Sequence, residues 1–229
     1  MIQVRPSEER GHNKLAWLDT RFSFSFDQYF DPQHMNFRSL RVMNEDHIAP
    51  SKGFGLHPHR DMEILTWVLS GSLEHRDSTG GHGVLRPGEL QHMSAGTGVM
   101  HSEFNPSSKD EVHLLQIWIL PDRNGRKPEY EQIAFSDGEL RNQFYNVAGR
   151  QAPVTIHQDA DLFIARLDAG AKVSRPLASG RHAWLQVARG SVVLNGTPLQ
   201  AGDGAAIATE SEIRVEAKEA SEILLFDLA

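Results

Sequence analysis

The chain has 229 residues, of which 39% are hydrophobic and 23% are charged, and its formal net charge is −7 at pH 7. This composition is typical of globular proteins, and the acidic balance argues against direct nucleic-acid binding, because like charges repel. The absence of cysteine excludes disulfides and thiolate catalysis. No export signal or run of about 20 apolar residues is found, so a cytoplasmic protein without a membrane partner is expected.

Short apolar runs separated by Gly, Pro and Asn predict an all-β fold. In the first half, strands are predicted at 63–69, 73–77, 99–104 and 113–120. The polar, turn-rich stretch 121–139 predicts a linker between two halves. In the second half, strands are predicted at 154–157, 162–167, 184–187, 191–194, 205–207, 213–215 and 223–228. No long amphipathic helix is predicted.

The two halves resemble repeats of one unit. Segment 67–73 resembles 185–192, and both read as a strand, a Gly turn and a second strand. Segment 86–90 resembles 200–204, and both read as a turn with Gly followed by an acidic residue. Self-similarity of this kind predicts one small antiparallel barrel used twice. The predicted domains are an N-terminal domain at 1–135 and a C-terminal domain at 136–229.

Two pairs of metal-ligating residues, His57-Pro58-His59 and His101-Ser102-Glu103, carry the chemistry of the chain. Side chains at i and i+2 of a strand point to the same face, so two such strands side by side would direct three imidazoles and one carboxylate to one point. This mixed ligand set suits Fe(II), Mn, Ni, Co or Cu, and less distinctively Zn. Four protein ligands on a six-coordinate ion leave two open positions, which is typical of a catalytic site.

Other polar residues offer alternatives to this assignment. Glu63, four residues after His59, could replace Glu103 as a ligand, bond a ligand imidazole, or lie exposed on its strand. His92 and His113 are candidates for holding the tautomer of a ligand, or else they lie on the outer face. The alternative without a metal is that His-Pro-His is a surface turn and that His-Ser-Glu is a hydrogen-bonded pair.

Four large apolar residues near the two pairs either line a pocket over the metal or pack in the core: Phe54, Trp67, Met93 and Met100. The second half offers no equivalent of the metal pairs. At the same offsets from its Gly turns it has Pro176, Ala178, Val215 and Ala217. The C-terminal barrel is therefore predicted to keep the fold without the metal, and His157 and His182 to be structural or surface residues.

The segments 55–63 and 93–103 resemble the pirin family of the cupin superfamily, and in particular the bacterial pirin-like proteins described as quercetin 2,3-dioxygenases. The resemblance extends to 9–12, 17–20, 22–26, 29–32, 105–108 and 116–119. It covers most of the first 135 residues specifically and the rest more loosely.

The resemblance implies a bicupin, in which two antiparallel β-barrels (double-stranded β-helices) pack face to face, with one metal in the N-terminal barrel. The family's ligands fall on His57, His59, His101 and Glu103, which favours Glu103 over Glu63. One divalent transition metal is expected per chain, with Fe(II) ranked first and Ni, Co, Mn, Cu and Zn as alternatives.

The reaction that the resemblance implies is the opening of a flavonol ring by O2 with loss of carbon monoxide, with Glu103 as the general base. Two competing functions stay open. One is a metal-gated regulatory protein that binds a protein partner without physiological flavonol turnover. The other is a dioxygenase whose natural substrate is another enolisable phenol or diketone.

Overall fold

The computed structural model describes residues 1–229, and it confirms the all-β prediction. It contains 22 strands and a single four-residue α-helix, α1 (Asp137–Leu140). Ser136 caps α1 and forms a capping box with Glu139, which explains why so short a helix begins there. No helix has the length and apolar character needed to cross a membrane.

The strands are numbered in chain order. The first twelve are β1 (Ile2–Arg5), β2 (Gly11–Lys14), β3 (Leu18–Phe22), β4 (Leu40–Ile48), β5 (Gly53–His59), β6 (Glu63–Ser70), β7 (Leu73–Asp77), β8 (His82–Leu85), β9 (Glu89–Ser94), β10 (Val99–Phe104), β11 (Val112–Ile119) and β12 (Glu129–Ala134). The other ten are β13 (Tyr145–Gly149), β14 (Val154–Thr155), β15 (Ala160–Leu167), β16 (Lys172–Pro176), β17 (His182–Arg189), β18 (Ser191–Leu194), β19 (Thr197–Gln200), β20 (Gly204–Ile207), β21 (Glu212–Ala217) and β22 (Ser221–Leu228).

The chain forms two compact units. The unit at 11–134 and 156–158 is called the N-terminal barrel here, and the unit at 1–10, 135–155 and 159–229 the C-terminal barrel. These units differ from the predicted domains, 1–135 and 136–229, at residues 1–10, 135 and 156–158. The first ten residues belong to the C-terminal barrel because β1 pairs with β20.

The N-terminal barrel consists of two sheets, with strand orders β12-β9-β6-β11-β4-β3-β2 and β5-β10-β7-β8. Side chains from both sheets meet in a buried apolar cluster: Leu18, Ile48, Val68, Leu73, Leu85, Val112 and Leu114. This packing holds the four-stranded sheet, which carries both predicted metal pairs, against the seven-stranded one.

The C-terminal barrel repeats this architecture, with strand orders β1-β20-β17-β22-β15-β13-β14 and β16-β21-β18-β19. The turns repeat as well. Gly71 and Gly190 have φ of 76° and 77°, and Gly88 and Gly202 have φ of 89° and 86°. Glycine adopts these left-handed values without strain, which explains why the sequence similarity between the halves is centred on glycines.

The predicted linker at 121–139 is wrong in its second half. Residues 129–134 form β12, which pairs with β9 over its whole length, and α1 follows it. The strand was hidden because β12 lies at the edge of its sheet, where polar side chains are tolerated. The sequence also did not indicate β1 to β4, which carry many polar residues.

Candidate metal centre

The three predicted histidine ligands come together in the N-terminal barrel. Strands β5 and β10 are neighbours, and His101 lies directly opposite His57 in their register. The ring centroid of His101 is 4.3 Å from that of His57 and 4.7 Å from that of His59. One nitrogen from each of the three rings lies within 4.8 Å of the others. The i, i+2 spacing on paired strands therefore brings the three predicted imidazoles together, while the predicted carboxylate, Glu103, is grouped with His101 but not with His57 and His59.

Glu103 lies beside His101 and is buried, with 3% of its surface exposed. One carboxylate oxygen of Glu103 and one ring nitrogen each of His101 and His75 lie within 4.8 Å of one another. It accepts hydrogen bonds from Gln116 Nε2 at 3.0 Å and Gln91 Nε2 at 3.5 Å. Burial raises the pKa of the Glu103 carboxyl to about 7, against the opposing effect of the bond from Gln116. A nearby cation would favour the charged form of this carboxyl.

An irregularity in the strand pairing sets the position of Glu103. Between the pairs His101–His57 and Glu103–Phe54, strand β5 has one residue more than β10. Such a bulge re-aims the side chains beside it. At the end of this pairing, Gly53 passes so close to β10 that a Cβ atom there would overlap the carbonyl oxygen of Glu103. Glycine is therefore required at this position.

A chain of hydrogen bonds fixes the tautomer of His101. His75 Nε2 is 2.9 Å from the carboxylate of Asp77, and His75 Nδ1 is 3.4 Å from His101 Nδ1. Asp77 accepts the Nε2 proton, and burial lowers the pKa of His75, so its ring is neutral and its Nδ1 is an acceptor. His101 must then donate from Nδ1, which leaves the lone pair on its Nε2.

The residues present fit a divalent transition metal. His101 Nε2 is buried without a hydrogen-bond partner. The Nδ1 of His57 donates to the carbonyl of Gly55 at 2.7 Å, which leaves the lone pair of this ring on Nε2 as well. Burial lowers the pKa of His59 to about 4 and that of His101 to about 2, with further lowering by neighbouring imidazoles, so both rings are neutral as ligation requires.

The candidate metal centre opens into a cavity of about 500 Å³ in the N-terminal barrel. Five of the residues that line it have phenyl or indole rings: Trp17, Phe22, Phe26, Phe54 and Trp118. No lysine or arginine lines it. A cavity of this size suits an organic molecule of drug-like dimensions, and its walls suit a flat apolar frame.

Sequence reasoning missed four residues that support the centre: His75, Asp77, Gln91 and Gln116. For His75 and Asp77 a signal was present, because His75-Arg76-Asp77 has the same i, i+2 spacing as the recognised pairs. The sequence did not indicate the two glutamines, because each is a single polar residue in an apolar strand and no pattern distinguishes it from an exposed one.

Glu63 belongs to a separate buried network, and it is not exposed on its strand. Only 1% of its surface is exposed, and its carboxylate accepts hydrogen bonds from His92 at 2.9 Å and Ser94 at 2.7 Å. His92 is thus held by Glu63 and Glu131, and it contacts no predicted ligand. The expected role of His92 in holding a ligand tautomer is filled by His75.

His113 also lies apart from the centre. Its Nε2 is 2.9 Å from Glu45, and its ring stacks on His47 with centroids 3.9 Å apart. Neither His47 nor His113 lines the cavity. Of the four large apolar candidates, Phe54 lines the cavity, Trp67 and Met93 are buried in the core, and Met100 is 36% exposed.

The strand register corrects the sequence alignment of the C-terminal barrel. Strand β16 pairs with β21 as β5 pairs with β10, and Val215 lies opposite Val173. The counterpart of His57 is therefore Val173, and Pro176 was assigned only because the loops differ in length. Both valines belong to the apolar core of this barrel. His157 comes from the second half of the sequence but belongs to the N-terminal barrel, where it bonds Glu129 at 3.1 Å.

Comparison with known families decides the relationship. Residues 3–119 match the family described as Pirin, and residues 146–228 match the quercetinase C-terminal cupin domain. The chain belongs to the pirin family. Among the curated relatives of this pirin-family chain is the Escherichia coli (strain K12) protein named quercetin 2,3-dioxygenase. It is 45% identical over 228 residues, a match that covers 100% of this chain and 99% of that protein.

Solved pirin structures have the same fold. The bacterial pirin YhhW from Escherichia coli, crystallised in complex with nickel(II), matches with a TM-score of 0.94 and 45% identity, and the match covers 100% of this chain and 99% of that one. The Escherichia coli protein YhaK matches with a TM-score of 0.74 and 30% identity, covering 91% and 92% of the two chains. The fold of two cupin domains is thus shared along the length of the chain.

Proposed function

We propose that this protein is a metal-dependent dioxygenase that opens the central ring of quercetin-like flavonols with O2 and releases carbon monoxide. The observation that carries the proposal is the buried, unpartnered Nε2 of His101, which meets the imidazoles of His57 and His59 at the wall of a cavity with five aromatic residues. The full-length similarity to a protein named quercetin 2,3-dioxygenase supports it.

The proposed ligands are His57, His59, His101 and Glu103, and the proposed cofactor is one divalent transition metal. Fe(II) and Ni(II) are the first ions to test, since a mixed imidazole and carboxylate set suits both and the related YhhW binds nickel(II). When bound, such an ion supplies Lewis acidity and open coordination positions.

The side chains of the cavity prepare the substrate for the reaction. The aromatic walls hold the flat flavonol with its 3-hydroxyl toward Glu103, which accepts the hydroxyl proton as general base. Gln116 and Gln91 keep the Glu103 carboxylate in place for this transfer. The resulting enolate is electron-rich at C2, so O2 adds across C2 and C4 of the ring. The C2–C3 and C3–C4 bonds then break, C3 leaves with its oxygen as carbon monoxide, and both atoms of O2 stay in the ester product.

Oxygen consumption tests the proposal. Protein loaded with one equivalent of metal should take up O2 with quercetin and release an equal amount of carbon monoxide, and His101→Ala should abolish both. The matched control is His82→Ala on β8 of the same sheet, where the side chain is 57% exposed, and this variant should keep full activity. Stoichiometric metal without O2 uptake for any of Fe(II), Mn, Ni, Co and Cu would contradict the proposal.

One observation favours a metal-gated binding role as the second candidate. Leu56, Met100 and Phe104 alternate with the proposed ligands along β5 and β10, so they point to the opposite face, and they are 68%, 36% and 39% exposed. An apolar patch directly behind the metal strands would suit a protein partner that senses the metal. The oxygen experiment separates the two functions, because the binding role requires metal but no O2 uptake.

A further inference from the structure

Two Glu-x-His pairs lie side by side in the N-terminal barrel, away from the candidate metal centre. Glu45 and His47 are on β4, while Glu111 precedes β11 by one residue and His113 is near the start of that strand. His47 is directly opposite His113 in the register of the two strands. Side chains at i and i+2 of a strand share a face, so Glu45 and both imidazoles point to one side of the sheet. The spacing is the one that brings the imidazoles of the candidate metal centre together.

The four side chains of the two pairs contact one another across the strands. Nδ1 of His47 is 2.7 Å from the carboxylate of Glu111, and Nε2 of His113 is 2.9 Å from that of Glu45. The two imidazole rings stack with centroids 3.9 Å apart and planes 16° apart. One carboxylate oxygen of Glu45 and one ring nitrogen each of His47 and His113 lie within 4.8 Å of one another. Two nitrogen ligands and one oxygen ligand therefore converge.

This cluster is separate from the cavity and open to solvent. Asn44 and Asp46, which alternate with Glu45 and His47 along β4, line the cavity, so Glu45 and His47 face the other side of the sheet. The side chain of His47 is 37% exposed, and those of His113 and Glu45 are 17% and 13% exposed. An ion can reach the cluster from solvent without passing through the cavity.

The hydrogen bonds prepare the two imidazoles for an ion. A carboxylate only accepts, so His47 donates from Nδ1 to Glu111, which leaves its lone pair on Nε2. Carboxylates hold ligand imidazoles in this way in many metal sites. His113 and Glu45 share a proton over 2.9 Å. Bonds of about 2.0–2.2 Å to zinc place two neighbouring ligand atoms about 3.0–3.5 Å apart, so an ion can replace that proton with a small displacement.

The surrounding charges favour a cation at the cluster. Asp19 on β3 is directly opposite His47 and adds a third carboxylate to the two glutamates. The cations beside these carboxylates are Lys14, which is 2.7 Å from Asp19, and Arg21, which is opposite Glu45. The carboxylates thus outnumber the two cations. A carboxylate has two oxygens and about four acceptor positions, so Glu45 can bind an ion and keep a neighbouring donor.

We propose that Glu45, His47 and His113 form a second metal site, which takes a zinc ion, with Glu111 holding the ring of His47. We call it the outer metal site. Imidazole and carboxylate ligands suit zinc, and three protein ligands leave its fourth position to water. The ion joins β4 to β11 and so stabilises the seven-stranded sheet from the side opposite the cavity. The outer metal site is independent of the proposed function, because it shares no residue with the candidate metal centre.

Zinc stoichiometry tests the outer metal site. Tag-free, metal-free protein is dialysed to equilibrium against ZnCl2, and bound zinc is measured by elemental analysis. Wild-type protein should bind two zinc ions per chain, one of them at the outer site. His47→Gln and His113→Gln should each weaken the binding of that ion at least tenfold, and Glu111→Gln should weaken it about 10- to 100-fold. His82→Gln is the matched control, because His82 also contacts a surface glutamate, Glu74, and it should keep both ions.

His101→Ala separates the two sites. This variant damages the candidate metal centre, and it should still bind one zinc ion, which the further change His113→Gln should remove. Zinc should also raise the urea midpoint of His101→Ala but not that of the double variant, because only a folded site stabilises the protein.

The possible results distinguish the outer metal site from the candidate metal centre. Zinc that is lost in His101→Ala but unchanged in both His47→Gln and His113→Gln would overturn the outer site, and the two Glu-x-His pairs would then only hydrogen-bond the strands. A single zinc ion that is kept in His101→Ala and lost in His113→Gln would support the outer site and contradict the candidate metal centre as a zinc site.

Discussion

At the scale of single residues, the contact between His75 and His101 orients one ligand of the candidate metal centre. Asp77 is tied to the backbone N–H groups of Thr79 and Gly81, at 2.7 and 3.0 Å, so its carboxylate is fixed before any metal arrives. It orients His75, which in turn orients His101. Partners of this kind make a ligand imidazole more basic and hold its ring in place.

Asp77→Asn should therefore lower the metal affinity by about 10- to 100-fold, because an uncharged amide accepts a weaker hydrogen bond from His75 and no longer fixes the tautomer of that ring. The measurement is competition with a chromophoric chelator. Glu74→Gln on the same strand is the control, since Glu74 contacts only the surface residues Arg76 and His82. Equal metal affinity in Asp77→Asn and wild-type protein would show that the contact between the two rings has no role in holding the metal.

Which site residues the sequence could predict depends on distance along the chain. The pairs His57–His59 and His101–Glu103 each lie on one strand, so the two-residue period was enough to find them. His75 and Asp77 reach the centre only because β7 pairs with β10, placing Asp77 opposite His101.

At the scale of elements, the close approach of β5 and β10 determines how well the ligands are placed. Gly53→Ala should destabilise the protein by about 1–3 kcal/mol and weaken metal binding, because the new Cβ would push the backbone at Glu103 away. Urea unfolding and chelator competition measure the two effects.

Gly55→Ala, two residues further along the same strand, is a matched control. A Cβ there meets no atom within 4 Å, so stability and metal affinity should both stay near those of wild-type protein. Similar losses in the two variants would show that the strand itself needs glycine for its flexibility, and that the contact with Glu103 does not matter.

The elements that the sequence predicted are the ones with a buried apolar side. Strand β6 is buried except for Ser70, and β11 is apolar along most of its length, so both were recognisable. Strand β12 is mostly polar, has exposed ends and no fully buried side chain, and was taken as part of a linker. Its pairing with β9 comes from tertiary contacts that no local pattern contains.

At the scale of the whole molecule, a buried ion pair away from the cavity should make stability depend on pH. Burial opposes charge on His92, but hydrogen bonds with Glu131 and Glu63 outweigh it and raise the pKa of His92 above 6.5. Burial likewise opposes charge on Glu63, but its bonds from His92 and Ser94 lower its pKa below 4.5. The contribution of His92 is complete below pH 6.5 and is lost as the pH rises through its folded pKa. That of Glu63 is present above pH 4.5 and is lost as the pH falls.

The metal-free protein should thus lose stability as the pH rises above 6.5 through the folded pKa of His92, and His92→Gln should flatten this part of the curve. Urea unfolding at several pH values measures the difference. His12→Gln serves as the control, since His12 forms only a surface contact with Asp19. Parallel curves for His92→Gln and wild-type protein would mean that His92 does not charge on folding.

The repeat explains how one barrel can carry chemistry while the other does not. The register places Val173 and Val215 where the N-terminal barrel has His57 and His101. Two valines at this point close the core with apolar contacts, while two histidines leave room for an ion and a cavity. The same strand order is thus compatible with a filled interior and with an open one.

The pairing of β1 with β20 has a consequence for how the chain is made on the ribosome. Ile2 lies opposite Ile207, about 200 residues later in the sequence. At translation rates of about 5–20 residues per second, β1 waits on the order of 10–40 seconds for its partner. The complete sequence of the N-terminal barrel emerges during this delay, so cotranslational folding would close that barrel first. Strand β1, which is synthesised before the N-terminal barrel, would then be paired only after that barrel has folded, and until that moment it is available to chaperones and to neighbouring nascent chains.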